Sequence, residues 1–294
     1  MCYPFVLPTV LLLAVFSIVP FLWALAMALY QYEAGGTPKY VGFSNFVQWF
    51  RDPVFCTSMA HMAFLAVIAV IARCTVPLVL ARVIYSLPTE RQRHFYRIAF
   101  LLPMLFPGPA ILLIWASVVY SDTGIINLIL GGLGLESLTR GWLSNPSTAL
   151  IAIAFVGFPF AGGFEILIYY AGFSNIPESV NDAAIIDGAG VLKKFFFVEF
   201  PMILSQVRML VILAIIGASQ GFETILILTS SEPMGAGGPG FKTMVPGLWM
   251  YINAFLYQNL GYACAIGVFL FLFIMTLTLL NLRFIKSTSQ IQEA

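Results

Sequence analysis

Charged residues are scarce in this chain. Aspartate, glutamate, lysine and arginine make up only 9% of its 294 residues, whereas hydrophobic residues make up 60% and the mean hydropathy is +0.94. A soluble domain carries roughly 25% charged residues, so this composition excludes an ordinary soluble globular protein. The net charge of +1 gives no indication of a nucleic-acid partner.

Cysteine is rare as well, and its spacing excludes two kinds of site. Cys2, Cys56, Cys74 and Cys264 have no metal-ligand spacing, so we expect neither a metal site nor a disulfide framework. The sequence also lacks any lysine or arginine before Lys39. The first apolar segment therefore has no basic leader and is too long for a signal-peptide core, and we expect it to be retained as a helix.

Long apolar runs, in contrast, are abundant. A helix that spans a membrane needs ~20 mostly apolar residues. Six runs reach that length: residues 5–30, 57–86, 98–120, 147–172, 207–229 and 261–285. The sequence therefore predicts an all-α, polytopic membrane protein with six transmembrane helices in a single domain, residues 1–294.

The basic residues of the connections predict the orientation of the chain, because lysine and arginine favour the cytoplasmic side. Those of the second and fourth connections and of the C-terminal tail are Arg91, Arg93, Arg97, Lys193, Lys194, Arg283 and Lys286. This bias places both termini, and the loop between the fourth and fifth runs, in the cytoplasm.

Prolines interrupt several of the runs: Pro77, Pro103, Pro107, Pro109 and Pro159. Proline kinks a helix because it lacks a backbone donor. Two interpretations stay open at this point, either the packing of a bent bundle or a set of bent helices around a path that opens and closes.

The loop between the fourth and fifth runs has an ordered sequence of its own. Pro177 and Glu178 predict a helix start, and Gly188 predicts a left-handed turn that ends this helix. We expect a second helix over 191–200, ended by Pro201. Its aromatic residues, 195–197, are expected to pack under the membrane bundle while its two lysines stay solvated.

The spacing of this loop resembles a family signature. Permease subunits of bacterial ABC importers carry Glu-Ala-Ala, three residues, Gly, nine residues, Ile, one residue and Leu-Pro. Here Asp182-Ala183-Ala184 is followed at the same spacing by Gly188, Val198 and Phe200-Pro201. Aspartate replaces glutamate, valine replaces isoleucine and phenylalanine replaces leucine.

Further stretches resemble the carbohydrate-uptake branch of that family, which includes maltose, other oligosaccharide and glycerol-3-phosphate permeases. These landmarks are residues 40–46, 100–103, 127–131, 142–144 and 261–263. The resemblance implies an inner-membrane permease for a sugar or oligosaccharide. Glycerol-3-phosphate or another polar solute is an alternative cargo, and an ATP-independent secondary transporter or channel is an alternative of a different class.

The resemblance also implies partners. In such importers two similar permease subunits pair, each docks on a subunit of an ATPase dimer, and an extracytoplasmic binding protein delivers the substrate. The chain lacks a Gly-x-x-x-x-Gly-Lys-Ser/Thr loop, so we expect no catalysis and no cofactor here, with ATP and magnesium on the partner ATPase. By resemblance residues 176–201 are the coupling loop, and the coupling surface comprises Asp182, Ala183, Ala184, Asp187, Gly188 and Ala189.

Four polar residues lie within the apolar runs: Arg73, Glu165, Gln220 and Glu223. Ionisable residues inside a membrane are costly and usually face a protein interior or a water-filled cavity. They are therefore candidates for a substrate path. The structural alternative is an Arg–Glu pair or the capping of backbone groups freed by proline. Arg82, near the end of the second run, is expected only to snorkel to the interface.

Overall fold

The computed structural model describes residues 3–33, 35–158, 162–230 and 235–284. The described chain is mostly helical and has only two short strands, which confirms the predicted all-α fold class. Its α-helices are Tyr3–Leu13 (α1), Val19–Met27 (α2), Ser44–Gln48 (α3), Pro53–Tyr85 (α4), Glu90–Leu101 (α5), Gly108–Ile114 (α6), Ile125–Gly132 (α7), Ala149–Ala154 (α8), Gly163–Ser174 (α9), Glu178–Ile186 (α10), Val191–Lys194 (α11), Phe200–Met202 (α12), Leu204–Gln220 (α13), Phe222–Thr229 (α14), Pro246–Tyr251 (α15) and Leu260–Phe284 (α16).

Shorter elements join or extend these helices. The π-helical turns are Ala14–Ile18, Trp115–Val119, Phe195–Glu199 and Ile252–Leu256, and the 3₁₀ turns are Leu102–Leu105, Glu136–Leu138 and Pro239–Phe241. Two short strands, Tyr30–Gln31 (β1) and Lys39–Tyr40 (β2), pair antiparallel with Tyr30 opposite Tyr40.

Three described helices are long and apolar enough to cross a membrane: Val6–Met27, Pro53–Tyr85 and Leu260–Phe284. Two further bent pairs of helices raise that number to five if each pair is one span. The fourth predicted run contains α8 and α9, and Pro159 lies between them outside the described residues, as does Lys286 of the tail. The count of six spans stays a prediction.

The third and fifth predicted runs are not straight helices. In the third, helix α5 already begins at Glu90, and the chain turns by 83° between Leu105 and Gly108. Pro103 and Pro107 explain this bend, because each lacks a donor and restricts the residue before it. The fifth run is broken at Gly221, whose ψ of 53° ends α13 before α14 begins.

Helix α4 connects two buried clusters. One cluster contains Phe55 and Met62 of α4 together with Trp249 and Tyr262. The other contains Leu78, Ala81 and Ile84 of α4 together with Tyr169 and Phe173 of α9. With 33 residues and a rise of 1.5 Å per residue, α4 is about 50 Å long. It is thus the element that physically links the two ends of the molecule.

Asp52 fixes the N-terminal end of α4. One carboxylate oxygen caps the helix by accepting bonds from the backbone N–H groups of Val54 (2.9 Å) and Phe55 (3.1 Å). The other oxygen accepts from Trp249 Nε1 at 2.7 Å and from the Tyr262 hydroxyl at 2.8 Å. A single carboxylate therefore joins α4, α15 and α16.

Two of the stretches that resemble the family, residues 127–131 and 142–144, contact each other in the connection after the third run. The amide nitrogen of Asn127 donates to the carbonyls of Asp122 (3.0 Å) and Arg140 (2.9 Å), and its oxygen accepts from Trp142 Nε1 at 2.9 Å. Asn127 is only 7% exposed, and a buried amide is stable only when its bonds are satisfied. This side chain therefore closes the connection from residue 121 to residue 142.

We predict that Asp52→Ala lowers the stability of the protein. The substitution removes the helix cap and leaves the donors of Trp249 and Tyr262 unpaired, at a combined cost of about 2 kcal/mol or more. Thermal unfolding in detergent should show a melting temperature lowered by several degrees. Glu136→Ala, which removes an exposed carboxylate with no bond described for its side chain, is the matched control, and an equal effect of both changes would contradict the prediction.

Candidate functional site

The expected coupling loop, residues 176–201, forms two helical segments joined by a tight turn. The first is α10, Glu178–Ile186, and the second runs without a break from Val191 to Met202 through α11, the π-helical turn and α12. The chain then bends by 69° into α13. The redirection occurs at Ile203, two residues after Pro201.

Gly188 makes the turn possible. Its N–H donates to the carbonyl of Ile185 at 3.0 Å, and the N–H of Ala189 donates to the carbonyl of Ala184 at 3.0 Å. These two bonds and a φ of +70° at Gly188 are the Schellman pattern that ends helices. A Cβ atom at this position would meet nothing within 4 Å, so the requirement for glycine is set by the backbone angle and not by space.

The structure exposes only part of the expected coupling surface. Asp182, Ala183, Asp187 and Gly188 are exposed and Ala189 is half-buried, whereas Ala184 is only 6% exposed. Ala184 is therefore not accessible on the surface of this chain. Its side chain lies on the face of α10 that packs against the rest of the protein.

Four apolar side chains surround the turn instead, and we name them the apolar tip: Ile185, Ile186, Val191 and Leu192. Their exposed fractions run from 63% for Ile185 to 84% for Ile186. The coupling surface predicted from the sequence includes none of these four residues. The available signal was their position on both sides of Gly188, where a turn projects the neighbouring residues outward.

Two expectations for the second loop helix hold for one residue each and are wrong for the others. Phe195 packs against the cluster around Tyr169, but Phe196 and Phe197 are exposed. Lys193 is exposed, whereas the Lys194 side chain is only 17% exposed and its Nζ lies 3.8 Å from Oε1 of Glu199. The cause is Glu199, a fully buried carboxylate that attracts the nearest cation.

Arg82 does not simply snorkel to the interface. Its Nε donates to Oε2 of Glu199, and its side chain is 19% exposed. The two residues are 117 positions apart in the sequence, so no local pattern indicated the pair. The end of α4 is therefore bonded to the second helix of the coupling loop.

Arg73 and Glu165 form an ion pair between α4 and α9, with 3.3 Å between Nη1 and Oε1. The Glu165 side chain is 9% exposed and the Arg73 side chain 38%. The pair lies beside a cavity of about 490 Å³, which is also lined by Thr75, Phe158 and Gly162. The structural alternative of an Arg–Glu pair is thus realised, at a place where a cavity reaches both side chains.

Gln220 and Glu223 are placed differently. Both are exposed, and the break at Gly221 separates them, so they do not lie on one face of a continuous helix. Gln220 lines a cavity of about 460 Å³ together with Phe222 and Met250, and Glu223 does not line this cavity. The structure therefore brings Arg73 and Glu165 together but leaves the other two candidates apart from that pair.

Comparison with known proteins identifies the family. Residues 75–289 match the binding-protein-dependent transport system inner membrane components, which is well over half of the chain. The chain belongs to this family. It is thus a permease subunit, a transport component of the inner membrane and not a catalyst, and the resemblance drawn from the loop spacing is confirmed.

Relatives match the permease over most of its length. It is 29% identical over 286 residues to a probable ABC transporter permease protein, YurN of Bacillus subtilis, covering 97% of this chain and 96% of that one. It is 30% identical over 266 residues to the diacetylchitobiose uptake system permease protein NgcF of Streptomyces coelicolor, covering 87% and 74% of the two chains. It is 28% identical over 263 residues to the lactose transport system permease protein LacF of Rhizobium radiobacter, covering 89% and 86%.

The fold also matches a solved structure. A chain of a bacterial alginate ABC transporter, in complex with an alginate pentasaccharide-bound periplasmic protein, aligns with a TM-score of 0.82 at 20% identity. The alignment covers 97% of the permease and 95% of that chain. The permease therefore has the fold of an ABC transporter membrane subunit.

We predict that breaking the Arg73–Glu165 pair destabilises the permease more when one partner is removed than when both are. Glu165→Gln leaves the Arg73 guanidinium without its carboxylate, at a cost of about 1–3 kcal/mol. The double change Arg73→Met with Glu165→Leu should recover most of that loss, because it leaves neither a guanidinium nor a buried carboxylate without its partner.

Thermal unfolding in detergent measures both effects, with Glu223→Gln as the control for loss of an exposed carboxylate. A double variant less stable than Glu165→Gln would contradict this interpretation of the pair.

Proposed function

We propose that this permease forms, with a second homologous permease, the translocation path of an ATP-driven importer for a sugar or oligosaccharide. The support is that relatives aligned over most of both chains are named for the uptake of diacetylchitobiose and lactose. The arabinooligosaccharides permease AraP of Bacillus subtilis, 27% identical over 285 residues, is a further such relative. These cargoes are all saccharides, so this class of solute is favoured over glycerol-3-phosphate.

The coupling loop is the proposed contact with an ATPase dimer, in which ATP and magnesium are held outside this chain. A docking surface needs an apolar centre with a few polar groups. The apolar tip supplies the centre, and the exposed Asp182 and Asp187 supply charge beside it. We retain Asp182, Ala183, Asp187, Gly188 and Ala189 as the coupling surface and assign Ala184 a packing role within it.

The proposed orientation places the coupling loop and both termini in the cytoplasm. Arg91, Arg93 and Arg97 of α5 then lie on the same side as Lys193 and Lys194, as the distribution of basic residues favours. A substrate-binding protein would approach the opposite side, where Asp52 and the connection closed by Asn127 lie.

Transport would proceed by alternating access. Closure of the ATPase dimer on ATP moves the docked loops, and the helices then change which side of the path is open. Two described features support such a movement: the 83° bend after α5 and the break between α13 and α14. Both leave short helical segments that can reorient without unfolding a long helix.

The decisive experiment reconstitutes the permease with its co-purifying subunits in proteoliposomes. ATP-dependent accumulation of a radiolabelled sugar, dependent on the binding protein and selected from a panel of mono- and oligosaccharides, is the expected result. Uptake that proceeds without ATP would favour a secondary transporter or channel and overturn the proposal.

We predict that Gly188→Val disrupts the functional coupling between the permease and its ATPase subunits. Valine at a φ of +70° is strained by about 1–3 kcal/mol, so the turn changes shape while the membrane helices remain intact. Uptake and substrate-stimulated ATP hydrolysis should both fall about tenfold or more, at unchanged yield of inserted protein.

Gly188→Asn is the matched control, because asparagine tolerates this conformation and a Cβ atom at this position meets no atom within 4 Å. It should retain most of the activity. Normal uptake by the valine variant would argue against this loop as the coupling element.

The proposed substrate path generates a second prediction. Gln220→Ala and Glu223→Ala should each raise the sugar concentration needed for half-maximal uptake while leaving complex assembly unchanged, because exposed side chains contribute little to folding. Thr276→Ala in α16, also an exposed position, is the control. Loss of assembly in step with loss of uptake would indicate a structural role instead.

A further inference from the structure

Glu199 is an unusual residue for its position. Its side chain has no exposed surface, and it lies in the π-helical turn of the coupling loop. The family spacing leaves the residue between Val198 and Phe200 unspecified, so the motif does not require an acid there. A buried carboxylate is costly unless it is paired, and its presence calls for a specific partner.

Among the described residues, the ion-pair partners of Glu199 are two cations from different elements. Arg82 of α4 donates from Nε to Oε2, and Lys194 of α11 lies 3.8 Å from Oε1. The lysine contact is too long for a hydrogen bond, so the bond to Arg82 is the dominant one. We name Arg82, Lys194 and Glu199 the charge triad.

Stability alone is a poor reason for such a group. Buried ion pairs are often replaced by apolar residues of similar volume without loss of stability. A directional bond between charged groups differs from apolar packing in one respect, because it resists sliding of one element along another. The charge triad joins α4 and the coupling loop in this directional way.

The first loop helix contacts the same end of α4. The Asn181 amide of α10 donates to the Tyr85 hydroxyl at 3.4 Å, and the Tyr85 ring stacks on Phe173 at 5.8 Å between centroids. The Arg82 guanidinium lies 5.8 Å from the centre of the Tyr85 ring. Both helices of the coupling loop therefore meet α4 within one turn of its end.

Farther along, α4 forms one wall of the cavity beside Glu165. Arg73 is nine residues before Arg82, about 13 Å along the helix axis, and it bonds to Glu165 of α9. Pro77 lies on α4 between Arg73 and Arg82, and its Cγ is 3.0 Å from the position that a Cβ on Gly162 would take. A shift of α4 along its axis therefore moves Arg73 and Pro77 against the start of α9.

We propose that the charge triad is the link that transmits displacement of the coupling loop to α4, and through α4 to the cavity at Arg73 and Glu165. Arg82 and Glu199 act as positioning residues in this proposal, which rests on the ATP-driven function proposed above. The triad adds to that function the identity of the helix that is moved and of the bond that moves it.

The test compares uptake with ATP consumption in the reconstituted complex. Glu199→Gln removes the charge with almost no change of shape. We expect the ATPase subunits to co-purify and hydrolyse ATP as before, while sugar transported per ATP falls about tenfold. Arg82→Lys keeps a cation within reach of Glu199 and should retain the ratio to within about threefold.

A triple variant that removes all three charges separates this role from a structural one. Arg82→Met and Lys194→Met with Glu199→Leu should have a melting temperature close to that of the unmodified complex, because apolar side chains of similar volume replace every charge of the triad. Its transport ratio should stay low because the directional bond is gone. Glu90→Gln, which breaks only the exposed pairs of α5, is the control and should leave the ratio unchanged.

Each outcome decides the proposal. Wild-type transport per ATP in Glu199→Gln, or in the apolar triple variant, overturns the triad while leaving the ATP-driven function intact. ATP-independent uptake by the unmodified complex overturns the proposed function and the triad with it. Loss of the ratio in both variants with retained ATP hydrolysis supports the link.

Discussion

Helix α4 is held at each end by a carboxylate, and the arrangement of the other helices depends on these two anchors. At its start, Asp52 caps the helix and accepts bonds from Trp249 and Tyr262. At its end, Arg82 donates to Glu199 of the coupling loop. Because the apolar surfaces of membrane helices pack on each other and on lipid with similar energies, polar bonds of this kind contribute much to the choice of partner.

Helix α4 connects two buried clusters, and the two carboxylate anchors lie near its two ends. One cluster surrounds Trp249 and Tyr262, the other surrounds Tyr169 and Phe173, and α4 contributes residues to both. The Arg73–Glu165 pair and Pro77 then join the middle of α4 to the start of α9. A family of transport components must change shape without separating its helices, and a rigid element bonded at three levels meets both requirements.

Local features of the sequence were sufficient for much of this. Run length and composition predicted an all-helical membrane protein, and the spacing around Gly188 predicted both the family and the left-handed turn. Long-range pairing was not accessible, because Asp52 and Tyr262 are 210 residues apart and Arg82 and Glu199 are 117 apart. The inward direction of Ala184 was missed for a similar reason, since a small residue in a short helix gives no periodic signal of which face it occupies.

The open surroundings of Gly188 have a consequence for the evolution of such subunits. The shape of the turn is set by one backbone angle, whereas the surface it presents is set by the side chains on either side of it. If the loop is the ATPase contact proposed above, mutations in the apolar tip change which partner it recognises without altering how the loop is built. Under this proposal, an importer that acquires a different ATPase subunit needs substitutions only at those few side chains, with Gly188 and the shape of the turn unchanged.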